Sequence, residues 1–440
     1  MDQNQINTSS AVSGTRSRVL MAAYACEPAK GSEPGVGWNW ALQTAKQGHD
    51  VHVITRENNR NAIESAIRKY DGNKPHFHYV DFHKSIQFLK KKLGSNGLII
   101  YYYLWQFLVA RKAKNLSNTK TFDILHHVTF VIDWMPSGLA FVSGNAFLWG
   151  PVGGSTHDIP PCILRALPFR ARIAERFRRT IQFIFKRFDP FLHLTMRKAD
   201  RILTYTTEAL AGIPMKFRHK AFSVVHIGIN ATDLPQSNLR QILPGKSEFK
   251  ILSNGRMVAW KGFDILVRAF EIFLDKNPCD AQLYLTSDGP FRKYVDGIIA
   301  KCRNQGQIHS MGYLPTRNDV YQALEECDLY ALMTCRDGPP VAVLEAMNSA
   351  KPILYFDMGA CAELVPDDAG VKVQFEDANY DELVQRTARA IQNAYQNHSN
   401  LRIQGEQGRC HVQCNHQWDQ IGDEISRHYY EILRIKNDKP

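Results

Sequence analysis

Two carboxylates flank the predicted start of a helix within residues 335–347, which read CRDGPPVAVLEAM. Proline is favoured in the first turn of a helix, because the N–H group that it lacks would have no partner there. Pro340 therefore predicts a helix start whose N–H groups, with the positive end of the helix dipole behind them, can bind anions and hydroxyl groups. With Asp337 before this helix and Glu345 inside it, the pattern suits a ligand that carries several hydroxyl groups and a phosphate. The residues that would line the helix start are Gly338, Pro340, Val341 and Ala342. The alternative is a capped surface helix in which water surrounds Glu345.

Two basic residues flank a second turn, within residues 249–273. This segment predicts a short apolar strand, a glycine-containing loop and then an amphipathic helix. Open α/β sheets bind their ligands at the carboxyl ends of the strands, where such a loop lies. The guanidinium group of Arg256 and the ammonium group of Lys261, fixed at that point, could bind a diphosphate.

The amino-terminal part of the chain predicts the same alternation of strand and helix. Residues 18–24 and 51–55 have the composition of strands, and a helix is predicted between them from Trp38 to about Gly48. The glycines of the intervening loop are Gly31, Gly35 and Gly37. They would let the backbone approach a ligand, which leaves a nicotinamide-dependent enzyme as an alternative. Arg56 ends the second strand where a dinucleotide-binding protein carries an acidic residue, so the pattern favours that alternative only weakly.

Five segments between residues 249 and 365 together resemble glycosyltransferase family 4. In chain order they read GRMVAWKGFDILVRAF, SDGP, GYLP, DGPPVAVLEAM and GACAELV. The resemblance implies an α/β GT-B fold, in which two Rossmann-like domains face each other across a cleft and the last helix crosses back to the first domain. It also implies transfer of a sugar from a nucleotide-diphosphate donor with retention of its anomeric configuration.

The resemblance assigns roles to the residues singled out above. Arg256 and Lys261 would stabilise the charge of the leaving diphosphate. Glu345 would accept hydrogen bonds from the ribose, and Asp337 would hold the hydroxyl groups of the sugar. Asp337 stands where the family carries a glutamate, so its side chain is one methylene shorter.

Further site residues also come from the resemblance. A histidine at the end of the strand predicted within residues 122–130 would contact the donor sugar. His126 and His127 both fit this position, with His126 favoured, and the alternative is a histidine that only hydrogen-bonds within the core. The backbone that would meet the nucleotide base is that of Tyr313 and Leu314. The first loop would border the acceptor and the donor phosphate through Gly35, Val36 and Gly37.

Neither a metal ion nor another cofactor is expected. The sequence contains no Asp-x-Asp pair that could hold magnesium on the diphosphate, so fixed cations would replace the metal. A zinc site is conceivable at Cys410, His411, Cys414 and His416, but their spacing fits no common zinc pattern. The nine cysteines are scattered without a framework, which indicates a reducing compartment.

The net charge of +11 predicts an anionic partner. Basic and aromatic residues alternate in two segments, 84–114 and 165–198. A basic amphipathic helix with aromatic residues suits an anionic membrane surface, and the alternative is that the aromatic residues pack into the core. No nucleic-acid-binding signature accompanies the charge. Since the sequence also predicts neither a signal peptide nor a membrane-spanning helix, we expect a cytoplasmic protein attached to the inner face of the cell membrane.

The composition of the chain and the resemblance to glycosyltransferase family 4 together predict five parts. They are a disordered arm (1–17), an acceptor-binding domain (18–230), a linker (231–247), a nucleotide-sugar-binding domain (248–414) and the crossover helix (415–440). The expected function is a retaining, metal-independent glycosyltransferase that acts on a glycan or lipid-linked acceptor in bacterial surface polysaccharide or lipopolysaccharide synthesis. The alternatives are a sugar-nucleotide epimerase on the same fold and an inactive carbohydrate-binding scaffold.

Overall fold

Two parallel β-sheets organise the chain in the computed structural model. It describes residues 16–92, 94–130, 132–153, 158–230, 241–245, 247–336 and 338–437. The strands of the first sheet are β1 (Arg18–Ala22), β2 (Asp50–Thr55), β3 (His76–Tyr79), β4 (Ile124–His127), β5 (Ala146–Val152), β6 (Arg201–Thr204) and β7 (Ala221–Ser223). Their order across the sheet is β3-β2-β1-β4-β5-β6-β7.

The second sheet has the same kind of order, β10-β9-β8-β11-β12-β13. Its strands are β8 (Phe249–Arg256), β9 (Ala281–Asp288), β10 (Ile308–Ser310), β11 (Leu329–Leu332), β12 (Ile353–Phe356) and β13 (Gly370–Val373). In both sheets the strand order reverses beside the first strand, between β1 and β4 and between β8 and β11. A crevice forms outside the carboxyl ends of the strands at such a reversal, and ligands of α/β proteins bind there.

Helices cover both faces of each sheet, as parallel sheets require. The helices of the first half are α1 (Ser32–Lys46), α2 (Arg60–Lys69), α3 (Lys84–Lys92), α4 (Gly94–Ser117), α5 (Pro161–Ala166), α6 (Phe169–Phe188), α7 (Pro190–Lys198), α8 (Thr207–Ala211) and α9 (Met215–Arg218). Those of the second half are α10 (Phe263–Lys276), α11 (Arg292–Ile299), α12 (Arg317–Glu326), α13 (Val341–Asn348), α14 (Gly359–Leu364), α15 (Tyr380–Gln396), α16 (His398–Asn415) and α17 (Trp418–Asn437).

Helix α17 returns from the second domain to the first, as predicted. Lys46 of α1 forms an ion pair with Asp419 at 2.7 Å, and Arg201 of β6 forms one with Glu431 at 2.5 Å. Tyr429, on the same helix, is buried against the first sheet. The chain therefore has the α/β fold with two domains and a crossover helix that the sequence indicated.

The first helix begins earlier than predicted, at Ser32 and not at Trp38. Glycines have low helix propensity, and three of them in the loop delayed the predicted start. Glu33 in the first turn favours the earlier start, because a negative charge there interacts well with the helix dipole.

The boundary predicted at residue 230 does not separate the packing of the two halves. Ile159, Ile163 and Leu167, which precede α6, are buried in the core of the second sheet. The segment that leads into α6 therefore packs on the second domain, although it belongs to the first half of the sequence.

Parts of the predicted arm and linker lie outside the described residues. Of the arm (1–17), the structure describes only the last two residues, and the carbonyl of Ser17 accepts a hydrogen bond from the N–H of Asp50 at 3.0 Å. Of the linker (231–247), it describes only residues 241–245 and 247. In the described part of the chain, no helix has the length and apolar character needed to span a bilayer.

Candidate active site

A cavity of about 190 Å³ lies between the two domains. Gly35 and Val36 line it from the start of α1, and Arg317 and Val341 line it from the starts of α12 and α13. Trp418, at the start of the crossover helix, also contributes to its wall. Residues predicted independently from the first loop and from the 335–347 segment therefore share one cleft.

The glycines of the first loop serve the packing of the loop itself. A Cβ atom on Gly35 would lie 2.1 Å from the carbonyl oxygen of Lys30, and one on Gly37 would lie 2.1 Å from that of Ala25. No side chain fits at these distances, so the two glycines allow the loop to fold tightly against the first turns of α1. The structure shows a close approach of the chain to itself at these two glycines, and the close approach of a ligand to this loop stays a prediction.

Glu345 is held by an arginine that the sequence did not indicate. The carboxylate is 8% exposed and accepts two hydrogen bonds from Arg317, at 3.2 Å from Nε and 3.0 Å from Nη2. Arg317 also donates to the hydroxyl oxygen of Tyr321 at 2.8 Å. Charge-assisted hydrogen bonds of this kind fix the carboxylate in one orientation. The interpretation of Glu345 as a solvated surface residue is therefore wrong.

The two loops that carry the predicted chemistry are joined. The N–H group of Cys335 donates to the carbonyl oxygen of Trp260 at 2.9 Å. Gly262 has a φ of 60°, and a Cβ atom there would lie 2.3 Å from the carbonyl oxygen of Met333. The glycine thus permits both a left-handed turn and a close approach of the two loops. Lys261 lies in this joined region, with its Nζ 3.5 Å from where a Cβ atom of Gly255 would be.

Arg256 is the last residue of β8 and is exposed. Because β8 lies beside β11 in the parallel sheet, Arg256 ends its strand at the same sheet edge as the loop that leads into α13. The roles of Arg256 and Lys261 as diphosphate-binding cations remain predictions. Asp337 lies outside the described residues.

The helix predicted after Pro340 is present as α13, which begins at Val341 and includes Ala342. Gly338 contacts the first domain, because a Cβ atom on it would lie 3.0 Å from the ring of Tyr205. The start of α13 is therefore directed at the interdomain cleft.

The neighbouring Arg336 is a second residue that the sequence did not single out. Its side chain is almost fully buried and lies over the ring of Trp260, at 4.0 Å from the ring centroid. It forms an ion pair with Glu175 of α6 at 2.7 Å. A partner 161 positions away in the sequence leaves no local signal that could have revealed it.

His126 and His127 are core residues in this structure, which does not match their predicted position at the cleft. The Nε2 atom of His126 donates to the carbonyl oxygen of Gly150 at 2.9 Å, and its Nδ1 atom accepts from the hydroxyl group of Tyr429 at 2.6 Å. His127 hydrogen-bonds with the hydroxyl groups of Tyr102 and Ser137. Burial lowers the pKa of His126 to about 3 and that of His127 to about 4, so both rings are neutral. We therefore assign His126 to the attachment of the crossover helix and His127 to the packing of α4.

Tyr313 and Leu314 follow β10, at the same edge of the second sheet as the end of β9. The hydroxyl group of Tyr313 donates to the carbonyl oxygen of Asp288 at 2.8 Å, and its ring is exposed. Their backbone is thus placed at a strand end, and its contact with a nucleotide base remains a prediction.

One cluster of possible metal ligands occurs among the described residues, at the amino ends of strands β2 and β3 of the first sheet. Atoms of Asp50, His52 and His76 lie within 4.8 Å of one another. However, Arg18 forms an ion pair with Asp50 at 2.7 Å, and the Nζ atom of Lys120 lies 3.3 Å from Nε2 of His52. Two cations in contact with the ligand atoms oppose the binding of a third. The cysteines and histidines at 410–416 do not form such a cluster.

The second half of the chain matches a known family. Residues 236–408 match the family model described as "Glycosyl transferases group 1". An uncharacterized glycosyltransferase of Haemophilus influenzae is 27% identical over 165 residues, which are 38% of this chain and 44% of the relative. The O-antigen biosynthesis glycosyltransferase WbnH of Escherichia coli is 27% identical over 172 residues, which are 36% of this chain and 46% of the relative. The matched segments thus span less than half the length of these relatives.

Solved structures match nearly the whole chain. The sucrose-phosphate synthase of Thermosynechococcus elongatus aligns with a TM-score of 0.65 at 16% identity, covering 96% of this chain and 100% of that protein. HepE of Anabaena, solved in complex with UDP and glucose, aligns with a TM-score of 0.59 at 15% identity, covering 94% of this chain and 99% of HepE. At these identities the likeness concerns the fold. It supports the α/β GT-B fold for the whole chain, and the match to the glycosyl transferase family concerns residues 236–408.

Proposed function

We propose that this protein is a retaining, metal-independent glycosyltransferase that transfers a sugar from a nucleoside-diphosphate donor to a glycan or lipid-linked acceptor. One observation carries the proposal. The start of α13 at Val341, the first loop at Gly35 and Val36, and Arg317 line one interdomain cavity, and Arg317 holds the carboxylate of Glu345. This arrangement supplies backbone N–H groups for an anion and a carboxylate for hydroxyl groups, which together suit a nucleotide sugar.

In this proposal, charge stabilisation drives the cleavage of the sugar–phosphate bond. Negative charge builds on the leaving diphosphate as the bond breaks. The cationic side chains of Arg256 and Lys261 and the start of α13 stabilise that charge, and groups that are fixed before the reaction do so most effectively. Glu345 accepts hydrogen bonds from the ribose. Asp337 and the backbone after Gly338 hold the hydroxyl groups of the sugar.

The acceptor proton passes to an oxygen of the donor phosphate on the same face of the sugar. The new glycosidic bond therefore forms on the face from which the diphosphate leaves, and the configuration is retained. No protein side chain is needed as a general base in this reaction. The assignment of His126 and His127 to the core is compatible with it.

The proposed acceptor is an intermediate in the synthesis of a surface polysaccharide. The named relatives support this choice. Two of them are described as O-antigen biosynthesis glycosyltransferases of Escherichia coli, WbnH and, as probable, WbiN. A third, from Campylobacter jejuni, is described as an N-acetylgalactosaminyltransferase acting on a diphospho-undecaprenol-linked sugar, with 37% identity over 62 residues.

A lipid-linked acceptor requires access to a membrane, and α6 offers a surface for it. Phe169, Phe183 and Phe188 are each about two thirds exposed, at 67%, 65% and 64%. Residues of α6 that lie three or four positions apart form one stripe along the helix. The exposed apolar residues on this stripe are Phe169, Ile173, Phe177, Ile184 and Phe188. Exposed arginines lie beside them at Arg170, Arg176, Arg179 and Arg187. Apolar residues among arginines suit the surface of an anionic bilayer, and we propose peripheral attachment to the inner face of the cell membrane.

The enzymatic proposal is tested by nucleotide release. The wild type is incubated with uridine, guanosine and adenosine diphosphate sugars, with and without a lipid-linked acceptor. We expect one donor to be consumed only when the acceptor is present, and Glu345→Ala and Arg256→Ala to slow the reaction. Release of free sugar without an acceptor would indicate an epimerase. Nucleotide binding without turnover of any donor would indicate an inactive scaffold.

Sedimentation with vesicles tests the membrane surface. We expect the protein to sediment with vesicles that contain phosphatidylglycerol and to remain in solution with pure phosphatidylcholine. Binding that persists after high salt and after substitution of the basic residues within 165–187 would contradict attachment through α6.

A further inference from the structure

Helix α6 joins the two domains. Near its start, Ala171 packs against the core of the second sheet. Near its end, Ile181 and Phe185 pack against the core of the first. The ring of Phe185 contacts those of Tyr103 and Trp134, with centroids 5.6 Å apart in both pairs. A displacement of α6 therefore affects both sides of the cleft.

The most deeply buried positions of α6 hold polar residues, although several of its large apolar residues are exposed. Glu175 and Gln182 are the residues of this helix that are buried, at 5% and 7% exposure. Arg178 lies between them, donating to Gln182 at 2.6 Å and pairing with Glu175 at 2.5 Å. An amphipathic helix of a globular protein normally turns its apolar stripe inward. Buried polar side chains need hydrogen-bond or charge partners, so Glu175 requires a partner on the inner side of α6.

The partner of Glu175 on the other domain is Arg336. Its Nη1 atom lies 2.7 Å from Glu175, and both side chains are 5% exposed. The guanidinium group also stacks on Trp260, whose carbonyl oxygen accepts the N–H of Cys335 at 2.9 Å. Glu175 thus compensates the charge of Arg336, which is buried in the loop before α13. Removing one partner of a buried ion pair leaves the other charge uncompensated, so this contact fixes the positions of both elements.

We propose that Glu175 is a positioning residue that couples α6 to the donor-binding loop, so that binding of an anionic bilayer to the outer face of α6 orders the loop that leads into α13. This inference rests on the proposed membrane surface. The proposed link is the ion pair between Glu175 of α6 and Arg336 of the loop before α13. Because such coupling is reciprocal, donor binding in turn strengthens the attachment to the bilayer.

Amide hydrogen exchange tests the coupling without knowledge of the donor. The full chain is measured alone, with phosphatidylcholine vesicles, and with vesicles that also contain phosphatidylglycerol. In the wild type, we expect the anionic vesicles to slow exchange in α6 and, by about fivefold or more, in residues 334–344. In Glu175→Gln, we expect α6 to be protected as before and residues 334–344 to show no change.

The matched control is Glu406→Gln. Glu406 pairs with Arg409 three positions later on an exposed part of α16, which repeats the spacing of Glu175 and Arg178 without contact to the loop. This variant should respond to vesicles as the wild type does. Glu175→Asp keeps the charge and should recover part of the loop protection, which a general loss of stability in Glu175→Gln would not explain.

Three results overturn the inference in distinguishable ways. If α6 is not protected in the wild type, the membrane surface itself is wrong, and the coupling fails with it. If α6 is protected while residues 334–344 exchange unchanged, the surface stands and the coupling is wrong. If the loop is protected equally in the wild type and in Glu175→Gln, coupling exists but does not pass through Glu175.

Discussion

Helices α4 and α6 have similar compositions and opposite surroundings. Both combine aromatic residues with lysines or arginines. In α4, Tyr102 and Trp105 are buried in the core of the first domain, at 1% and 0% exposure. In α6, Phe169 and Phe188 remain about two thirds exposed. In α4, Tyr102 and Trp105 therefore pack into the core, which was the alternative to membrane binding for residues 84–114. In α6, the stripe that contains Phe169 and Phe188 faces outward.

The partners of the two helices explain the difference. Trp105 of α4 donates to the carbonyl oxygen of Val80 at 3.0 Å, so its ring is buried with its polar atom satisfied. Glu175 of α6 instead faces Arg336, a buried cation that requires an acid. Composition alone does not determine which stripe of a helix is buried, because the chemistry of the surface opposite decides it.

The largest effect that tests this comparison is on stability. Trp105→Ala removes a fully buried ring and should lower the free energy of unfolding by about 3–5 kcal/mol. Phe177→Ala removes an exposed ring from α6 and should change it by no more than about 0.5 kcal/mol. Urea denaturation of both variants measures the difference. Equal losses would mean that the ring of Phe177 is packed as that of Trp105 is.

A smaller effect concerns the ion pair on the inner face of α6. A double-mutant cycle with Glu175→Gln and Arg336→Met should give a coupling of about 2 kcal/mol, because the two groups are buried together. The same cycle with Glu406→Gln and Arg409→Met should give no more than about 0.5 kcal/mol, because that pair is exposed. If both cycles give the same coupling energy, the buried pair of Glu175 and Arg336 stabilises the fold no more than the exposed pair does.

Much of the fold could be predicted from the sequence. The alternation of apolar strands with amphipathic segments indicated both sheets, and the amphipathic pattern of the final segment indicated its helix. The resemblance to glycosyltransferase family 4 implied that this helix crosses back to the first domain. The packing of Ile159 and Ile163 in the core of the second sheet could not be predicted. Apolar residues in a short helix signal burial, but nothing in them identifies which core receives them.

The candidate site was predictable where it is contiguous in sequence. Residues 335–347 indicated both the start of α13 and Glu345 within it. Arg317 and Arg336 were missed, because each acts through a residue on a distant element. His126 was misplaced because a polar residue at the end of a strand has the same sequence pattern whether it faces a cleft or hydrogen-bonds within the core.

The next effect is on membrane binding. Ile173 on α6 and Ile403 on α16 are both exposed apolar residues of a helix, at 50% and 56%. Ile173→Ser should weaken binding to phosphatidylglycerol-containing vesicles by up to about tenfold, because full burial of an isoleucine side chain contributes about 1.5–3 kcal/mol and this one is already half buried. Ile403→Ser should leave it unchanged. A similar loss in both variants would show that binding does not select the surface of α6.

The smallest effect is the response to acid. Burial alone would raise the pKa of Glu175, but hydrogen bonds from Arg178 and the charge of Arg336 outweigh it and lower the pKa below its ordinary value of 4.5. The stabilisation by this carboxylate is therefore complete above pH 4.5 and is lost as the pH falls through the lowered pKa. The difference in stability between wild type and Glu175→Gln should shrink in that range. The difference in stability between wild type and Trp105→Ala should stay constant in that range, because neither tryptophan nor alanine has a side chain that titrates.

The central claim is that fixed cations beside the start of α13 act in place of a metal ion on the donor diphosphate. Turnover of the donor in the presence of EDTA tests it most directly, with wild type and Lys261→Ala compared. We expect the wild type to keep its rate in EDTA, and Lys261→Ala to be slower by about 10²–10³-fold, as for other fixed groups that stabilise a transition-state charge. Loss of wild-type turnover in EDTA that added magnesium restores would contradict the claim.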